Sequence, residues 1–351
     1  MINHNILTRF INTCGNKSPG YQKDKKPVAV FDWDDTCIFN DIGEATFRFQ
    51  AYNLRFKLSF HEFSSKLPDQ VNGHSTITYD SQSVSLKDLK ADLLADYSVL
   101  LPLINEAKLE HAKKTAEYRD FIVKLPFIYD GLYNSEGLGP KFAYPWVVRF
   151  LANHTRDDVK NLAKETFSKE TTESVEEITL TSPDMGRAGQ VKHLRKKGIR
   201  IQPFIIDLMK ALRENGFDVF VVTASQEAIV QGVAEENGYD VPNDHVFGIR
   251  LQVKDNRLTD EVIDTSDYPI NYRKGKVTVI KNCLPRNPVF IAGDSNSDYT
   301  MLTAFPETAL RLIINRNLKG DMALLYQKAL QDKEHYILLN RDEDRGIFIS
   351  C

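Results

Sequence analysis

Asp32 and Asp34 stand two positions apart, directly after the apolar run Pro27-Val28-Ala29-Val30-Phe31. Two carboxylates at that spacing could divide a reaction between them, one attacking an electrophile and the other moving a proton. Further along, Thr223 follows Val219-Phe220-Val221-Val222, and Asp294 follows Val289-Phe290-Ile291-Ala292-Gly293, with Asp298 four positions later. Lys276 opens a helical segment ahead of that last run. Each residue alone reads as an ordinary strand end or helix cap. Together, in this order, they are hard to explain as capping, because open α/β sheets bind their ligands beyond the carboxyl ends of the strands.

The elements that must position them are legible in part. From about residue 198 onward, helices and strands alternate. Pro203–Glu214 reads as a helix, Asp218–Val222 as a strand and Gln226–Asn237 as a helix. Phe247–Val253 alternates like a strand and turns at Asp255-Asn256. Lys276–Cys283 reads as a helix, Pro288–Ala292 as a strand, Asp298–Phe305 as a helix, Ala309–Ile314 as a strand and Asp321–Leu330 as a helix. This alternation predicts an α/β fold, a doubly wound and mainly parallel sheet of Rossmann-like type. Residues 46–197 look different. They carry amphipathic segments over Ser85–Leu101, Ile104–Ile122 and Asp157–Ser168, with a Gly/Pro/aromatic loop from Gly131 to Trp146, and predict a mainly helical inserted domain. The expected division is a polar N-terminal arm over 1–26, a discontinuous core over 27–45 and 198–351, and the insert over 46–197.

The set resembles the haloacid dehalogenase-like superfamily of phosphotransferring hydrolases. The first motif, an apolar strand followed by DxDx[TV], is Asp32-Trp33-Asp34-Asp35-Thr36. The second is Thr223, the third is Lys276 in Arg273-Lys274-Gly275-Lys276, and the fourth, GDxxxD, is Gly293-Asp294-Ser295-Asn296-Ser297-Asp298. The resemblance implies that Asp32 attacks phosphorus to form a phosphoaspartate. Asp34 would protonate the leaving oxygen and then activate water. Thr223 and Lys276 would hold the phosphoryl oxygens. Carboxylates facing a phosphate dianion need a cation, and Mg²⁺ suits an all-oxygen site. The resemblance maps its ligands onto Asp32, the main-chain carbonyl of Asp34, and Asp294, with Asp298 as a supporting residue or ligand. Lys274 competes with Lys276 for the third motif, and Asp35 reads as structural. An insert after the first motif implies a cap over the site, hence a small phosphate ester as substrate.

The C-terminal part is most similar to the phosphoserine phosphatase and phosphocholine phosphatase branch. There the second motif is Ser-Gly-Gly in phosphoserine phosphatases, whereas Thr223-Ala224-Ser225 leaves less room for substrate. Asp41 and Glu44, nine and twelve positions after Asp32, are the candidates for substrate specificity, since similar enzymes place an acid at the first of these positions to bind an amine. They also read as helix-start acids. Tyr144, Trp146, Phe47 and Phe49 could wall a quaternary ammonium, or simply form cap core. Arg187, Lys192 and Arg195 read as a solvated face, and His154 and His193 as incidental.

Composition narrows the rest. At 351 residues with 42% hydrophobic and 26% charged residues, the chain reads as an ordinary globular protein. A net charge of -3 argues against nucleic acid as a partner. Cys14, Cys37, Cys283 and Cys351 are too scattered for a zinc site or disulfide framework. No apolar run suggests a membrane span, and Arg9 interrupts the only apolar stretch before Lys26, so a cytoplasmic location is expected. The expectation is a Mg²⁺-dependent phosphomonoesterase acting on a small organic phosphate, such as an amino-alcohol phosphate. Phosphoryl transfer to an acceptor other than water, or a catalytically silent phosphate-binding module, are the alternatives.

Overall fold

The structure is a computed structural model that describes residues 4–350; Cys351 therefore lies outside the described residues. Helix α1 (His4–Cys14) precedes strand β1 (Val28–Phe31), the short strand β2 (Ile38–Phe39) and helix α2 (Ile42–Tyr52). The chain then builds α3 (Phe60–Lys66), a hairpin of β3 (Thr76–Tyr79) and β4 (Gln82–Ser85), α4 (Leu86–Asn105), α5 (Leu109–Ala112), α6 (Ala116–Asn134), α7 (Pro140–Val148) and α8 (Arg156–Glu170). A second hairpin, β5 (Glu176–Thr181) with β6 (Lys192–Lys197), leads back through β7 (Arg200–Ile201) to α9 (Pro203–Glu214), β8 (Asp218–Gln226), α10 (Glu227–Ala234) and β9 (Val246–Ile249). The hairpin β10 (Leu251–Lys254) and β11 (Arg257–Val262) precedes α11 (Lys274–Cys283), β12 (Pro288–Gly293), α12 (Tyr299–Thr303), β13 (Leu310–Asn315), α13 (Asp321–Gln331), β14 (Tyr336–Asp342) and β15 (Ile347–Ser350).

Seven strands form one sheet in the order β15-β14-β13-β12-β1-β8-β9. All neighbours are parallel except β14 and β15. The fold is thus the expected α/β sheet. Strand β1 is central, with β8 on one side and β12 on the other, so the chain order reverses across it and opens a crevice at its carboxyl end. Period-two alternation sorts its side chains. Ala29, Phe31, Val219, Val221, Phe290 and Ala292 join one apolar cluster with α1, α8, α9 and α10. Val28, Val30, Phe220, Val222 and Ile291 join the other, with α11, α12 and α13. Both faces are covered, which is why these strands read as continuous apolar runs.

Several expectations change. The supposed N-terminal arm is a helix from His4: Leu7 and Phe10 are buried, and Phe10 packs 5.5 Å from Phe217 and 5.8 Å from Phe290. Its apolar residues recur at helical spacing instead of running together, so a search for a continuous stretch passes over them. The loop expected from Gly131 to Trp146 is mostly helix. Pro140 sits in the first turn of α7, where its missing N–H costs nothing. The segment Ile104–Ile122 is broken, because Ala107 takes a φ of 53° between α4 and α5. The insert holds two hairpins; β5 and β6 pair glutamates with lysines at Glu176↔Lys197 and Glu177↔Lys196, and Ile178 and Leu180 alone give β5 an apolar alternation. β14 and β15, unexpected, extend the sheet.

Packing also redraws the insert's boundary. Helix α8 lies within residues 46–197, yet its Val159, Leu162, Ala163 and Phe167 belong to the core cluster. It approaches α10 so closely that a Cβ on Gly232 would lie 2.7 Å from the Lys160 carbonyl oxygen. The cap has its own core from Phe47 to Ala152, with Val191. Inside it, the fully buried Lys124 bridges Asp92 at 2.8 Å and Asp120 at 2.7 Å and donates to Met185 O at 2.9 Å. Asp92 in turn accepts from the Arg187 and Ala188 N–H groups. This cluster docks the tip of the β5–β6 hairpin on the cap.

Candidate active site

The carboxyl ends of β1, β8 and β12 open into a cavity of about 360 Å³ roofed by the cap. Asp32, Asp34, Thr223, Lys276 and Asp294 all line it, as do Asp41 and Glu44. Asp298 is fully buried just beneath.

Strand β1 aims Asp32 by continuing its pairing with β12, since the Asp32 N–H donates to Ala292 O at 3.0 Å. The chain then curls: the N–H groups of Thr36, Cys37 and Ile38 converge on Trp33 O. Trp33 is buried against Tyr239, ring centroids 4.9 Å apart. The curl needs a left-handed residue, supplied by Asp35 with φ 56°. It turns the Asp34 side chain back toward β8, where Oδ2 accepts from Ser225 Oγ at 2.6 Å and Oδ1 from the Ile42 N–H at 2.7 Å. Burial pushes Asp34 up to about 7, against the pull of those two donors. A carboxyl poised there can give and take a proton near neutrality.

Lys276 is the cation at the centre. Its ammonium donates to Asp32 Oδ1 and to Asp298 Oδ1, each at 2.6 Å. The competing Lys274 is exposed. Burial alone would lower the Lys276 pKa, but the charges of Asp298 and Asp32 raise it, so it stays an ammonium. Asp298 Oδ2 accepts from the N–H groups of Asp294 and Ser295 and from the Ser295 hydroxyl, each at 3.1 Å. Burial opposes its ionisation, yet Lys276 and these donors hold it below the usual carboxylate range. Asp298 therefore shapes the loop after β12.

Asp294 accepts from Thr36 Oγ1 at 2.9 Å and from Arg316 at 2.7 Å. Burial raises it to about 6, with Arg316 pulling down. Arg316 also bridges to Asp35 at 2.9 Å, and Arg341 pairs with the other Asp35 oxygen. Burial would raise Asp35, but these two guanidiniums hold it at about 2. Asp35 lines the cavity with both oxygens taken up by guanidiniums.

The acids of Asp32, Asp294 and Asp298 offer oxygens that all lie within 4.8 Å of one another, and all three are buried. With Asp35 they set four carboxylates against three cations, Lys276, Arg316 and Arg341. Burial and the Asp298 charge raise Asp32, with Lys276 pulling back. An all-oxygen donor set with surplus negative charge, facing a cavity, fits a hard divalent cation.

Helix α2 supplies the acids opposite. Asp41 is its N-cap, accepting from the Glu44 N–H at 2.8 Å, so the helix-start reading and the cavity reading both hold. Glu44 is paired with Arg48 at 3.2 Å and accepts from the Tyr129 hydroxyl at 3.3 Å. Among the described residues, no lysine or arginine nitrogen lies within 4.0 Å of an Asp41 oxygen. Of the four aromatics proposed as a wall, Phe47 and Tyr144 line the cavity; Trp146 and Phe49 do not. Trp146 faces the cap core and donates to Lys66 O, as its spacing from Phe150 on one helical face requires. The wall is instead tyrosines: Tyr129, Tyr133 and Tyr144 from the cap, and Tyr272 from the core. Tyr144 bridges the two bodies, 5.9 Å from Tyr133 and 6.1 Å from Tyr272. Arg187, Lys192 and Arg195 lie away from the cavity, Arg195 on Glu170 at 2.9 Å. His193 is held by Asp130 at 2.7 Å and His154 by main-chain oxygens.

Sequence reading passed over Arg316, Lys196 and Tyr272, which line the cavity, and read Ser225, which also lines it, only as taking up room there. Arg316 directly follows β13, and the strand-end rule that singled out Asp294 would have found it. Lys196 and Tyr272 carry no local signal.

Residues 162–303 match the model of the haloacid dehalogenase-like hydrolase family. The phosphorylcholine phosphatase of Pseudomonas aeruginosa is 22% identical over 287 residues, 74% of this chain and 79% of that protein. A conserved, functionally unknown protein from Anaerococcus prevotii DSM 20548 superposes with a TM-score of 0.88 at 28% identity, covering 98% of this chain and 93% of its own. A protein of unknown function from Bordetella pertussis Tohama I superposes with a TM-score of 0.51 at 15% identity, covering 89% and 98%; that likeness concerns the fold alone.

Proposed function

Because residues 162–303 match the haloacid dehalogenase-like hydrolase family, we propose that this chain is a divalent-cation-dependent phosphomonoesterase for a small ester with a cationic head group. The observation that carries the reading is the convergence of Asp32, Asp34, Thr223 and Lys276 on one cavity beneath the cap.

Asp32 attacks phosphorus through a carboxylate oxygen, forming an acyl phosphate while the bond from phosphorus to the ester oxygen breaks. The departing electron pair stays on that oxygen, which takes the proton of Asp34. Asp34, now a carboxylate, removes a proton from the water that attacks the acyl phosphate, regenerating Asp32 and releasing phosphate. Lys276 and the Thr223 hydroxyl bind the phosphoryl oxygens as charge builds. Mg²⁺, held by Asp32, Asp294 and the Asp34 carbonyl with Asp298 in support, would neutralise charge between the carboxylates and the phosphate. The cap excludes water and limits the substrate to a small molecule.

Two features support a cationic head group. Among the described residues Asp41 has no cationic partner as it faces the cavity, and a half-buried carboxylate without one favours a cation from the substrate. The tyrosines around it offer π-faces suited to an alkylammonium. The name of the Pseudomonas aeruginosa relative agrees with an amino-alcohol phosphate.

The test is phosphate release with Mg²⁺ from phosphocholine, phosphoethanolamine, phosphoserine and a neutral alkyl phosphate, beside Asp32→Asn and Asp41→Asn. Release by the wild type, none by Asp32→Asn, and a loss in Asp41→Asn confined to the cationic esters are expected. No release from any ester would sink the reading. Equal losses on cationic and neutral esters in Asp41→Asn would remove the head-group assignment alone.

A further inference from the structure

Ser225 has no role in the mechanism above, yet it makes the shortest hydrogen bond to Asp34. Its hydroxyl donates to Oδ2 at 2.6 Å while the Ile42 N–H donates to Oδ1 at 2.7 Å. Both oxygens of one carboxyl are therefore held, from the end of β8 on one side and the first turn of α2 on the other. Ser225 lines the cavity, as its neighbour Ala224 does, but its hydroxyl turns onto Asp34. Space for it is made by Gly43, where a Cβ would lie 2.4 Å from Ser225 Oγ, 3.2 Å from Asp41 Oδ1 and 3.3 Å from Ser225 Cβ. The Ser225 N–H also donates to Thr223 Oγ1 at 3.0 Å. The same strand end thus presents one residue to the phosphate and another to the proton donor.

We propose that Ser225, in the space left by Gly43, is a positioning residue that fixes the Asp34 carboxyl in the orientation from which it protonates the leaving group. The inference rests on the phosphomonoesterase reading. Its consequence is selective. An alkoxide is a poor leaving group and needs the proton as its bond to phosphorus breaks. A nitrophenolate leaves readily without it, so misplacing Asp34 penalises alkyl esters far more than aryl ones.

The experiment compares kcat/KM, which reports steps up to breakage of the ester bond, on phosphocholine and on p-nitrophenyl phosphate with Mg²⁺. Ser225→Ala should lose about tenfold more on the alkyl ester than on the aryl ester. Ser225→Thr, which keeps the hydroxyl, should recover most of the difference. Gly43→Ala, whose Cβ displaces the hydroxyl, should reproduce the selective loss in the wild-type background. In a Ser225→Ala background it should add little, because the two changes remove one interaction. Melting curves of each variant show that it is folded, and a neutral alkyl phosphate run beside phosphocholine separates the two neighbours of Gly43: a Gly43→Ala loss on both alkyl esters supports the inference, and one confined to phosphocholine comes through Asp41 and counts against it.

Equal losses on the two esters in Ser225→Ala would overturn the inference, since a merely structural role would not distinguish leaving groups. So would no loss on either, or full additivity of Gly43→Ala with Ser225→Ala. A wild type that turns over neither these esters nor any of the phosphate panel overturns the phosphomonoesterase reading and this inference with it. A wild type active on both esters, with unselective variants, overturns this inference alone.

Discussion

At 2.6 Å from both Asp32 and Asp298, the Lys276 ammonium is the shared cationic partner of two buried carboxylates. Removing it leaves them uncompensated. Lys276→Met should destabilise the metal-free protein by roughly 3–5 kcal/mol, the usual cost of breaking a buried pair on one side. Thermal melting without Mg²⁺ measures this, and an unchanged midpoint would show that the pair is not under that tension. The two acids of the first motif should separate by severity. Asp34→Asn removes acid–base assistance and should lower kcat/KM on alkyl esters by about 10²–10⁴. Asp32→Asn removes the nucleophile and should leave no acyl phosphate to trap after mixing with substrate. A trapped intermediate in Asp32→Asn would disprove its role.

Helices and hairpins decide how the cap is held over these residues. The cap is tied to the core where the main chain of 153–154 exchanges hydrogen bonds with Leu258, each at 2.8 Å. Asp260 on the same strand binds the buried Lys66 at 3.0 Å. From there α8 begins with a reciprocal cap: Thr155 accepts from the Asp158 N–H, and Asp158 accepts from the Thr155 N–H. Thr155→Ala should cost about 1 kcal/mol, read as a lowered melting midpoint. Slight burial would raise Asp158, but Lys57 and Thr155 hold it at about 2, below the ordinary 3.8. A depressed carboxylate stabilises above its unfolded pKa and loses that contribution as pH falls through its folded value. The stability difference between wild type and Asp158→Asn should therefore be full at pH 6 and shrink between about pH 4 and pH 2. The effect is small, since the side chain is partly exposed and screened. A difference that grows on acidification would contradict the assignment.

For the molecule as a whole, the surplus of carboxylates between β1 and β12 would make the proposed cation binding a stability effect as well as a catalytic one. Mg²⁺ should raise the melting midpoint of the substrate-free protein, by roughly 2.7 kcal/mol of stabilisation at a hundred times its Kd. Asp294→Asn should reduce that shift severalfold, and an undiminished shift would place the cation elsewhere. No helix among the described residues is long and apolar enough to cross a membrane. The cavity lies where the sheet reverses, with one wall from each body, so neither the core nor the cap encloses it alone.

The local chemistry was written in the chain. Apolar runs ending in Asp32, Thr223 and Asp294 announce strands and the residues at their tips, because strand burial and strand-end position are both local properties of a parallel sheet. Lys276 followed from its place at a helix start. What depends on chains meeting from afar was not legible. Asp34 and Ser225 are 191 positions apart, Thr36 and Asp294 are 258 apart, and neither pair leaves a periodic trace. The same holds for α8, whose amphipathic face matches cap or core equally well until packing chooses, and for the tyrosine wall that displaced Trp146 and Phe49. Sequence determined which residues could act on phosphate. Tertiary structure decided that the Ser225 hydroxyl grips Asp34 and that Asp41 faces the cavity without a cationic partner among the described residues, because hydrogen bonds and charge compensation are settled only when distant elements come within a few ångströms.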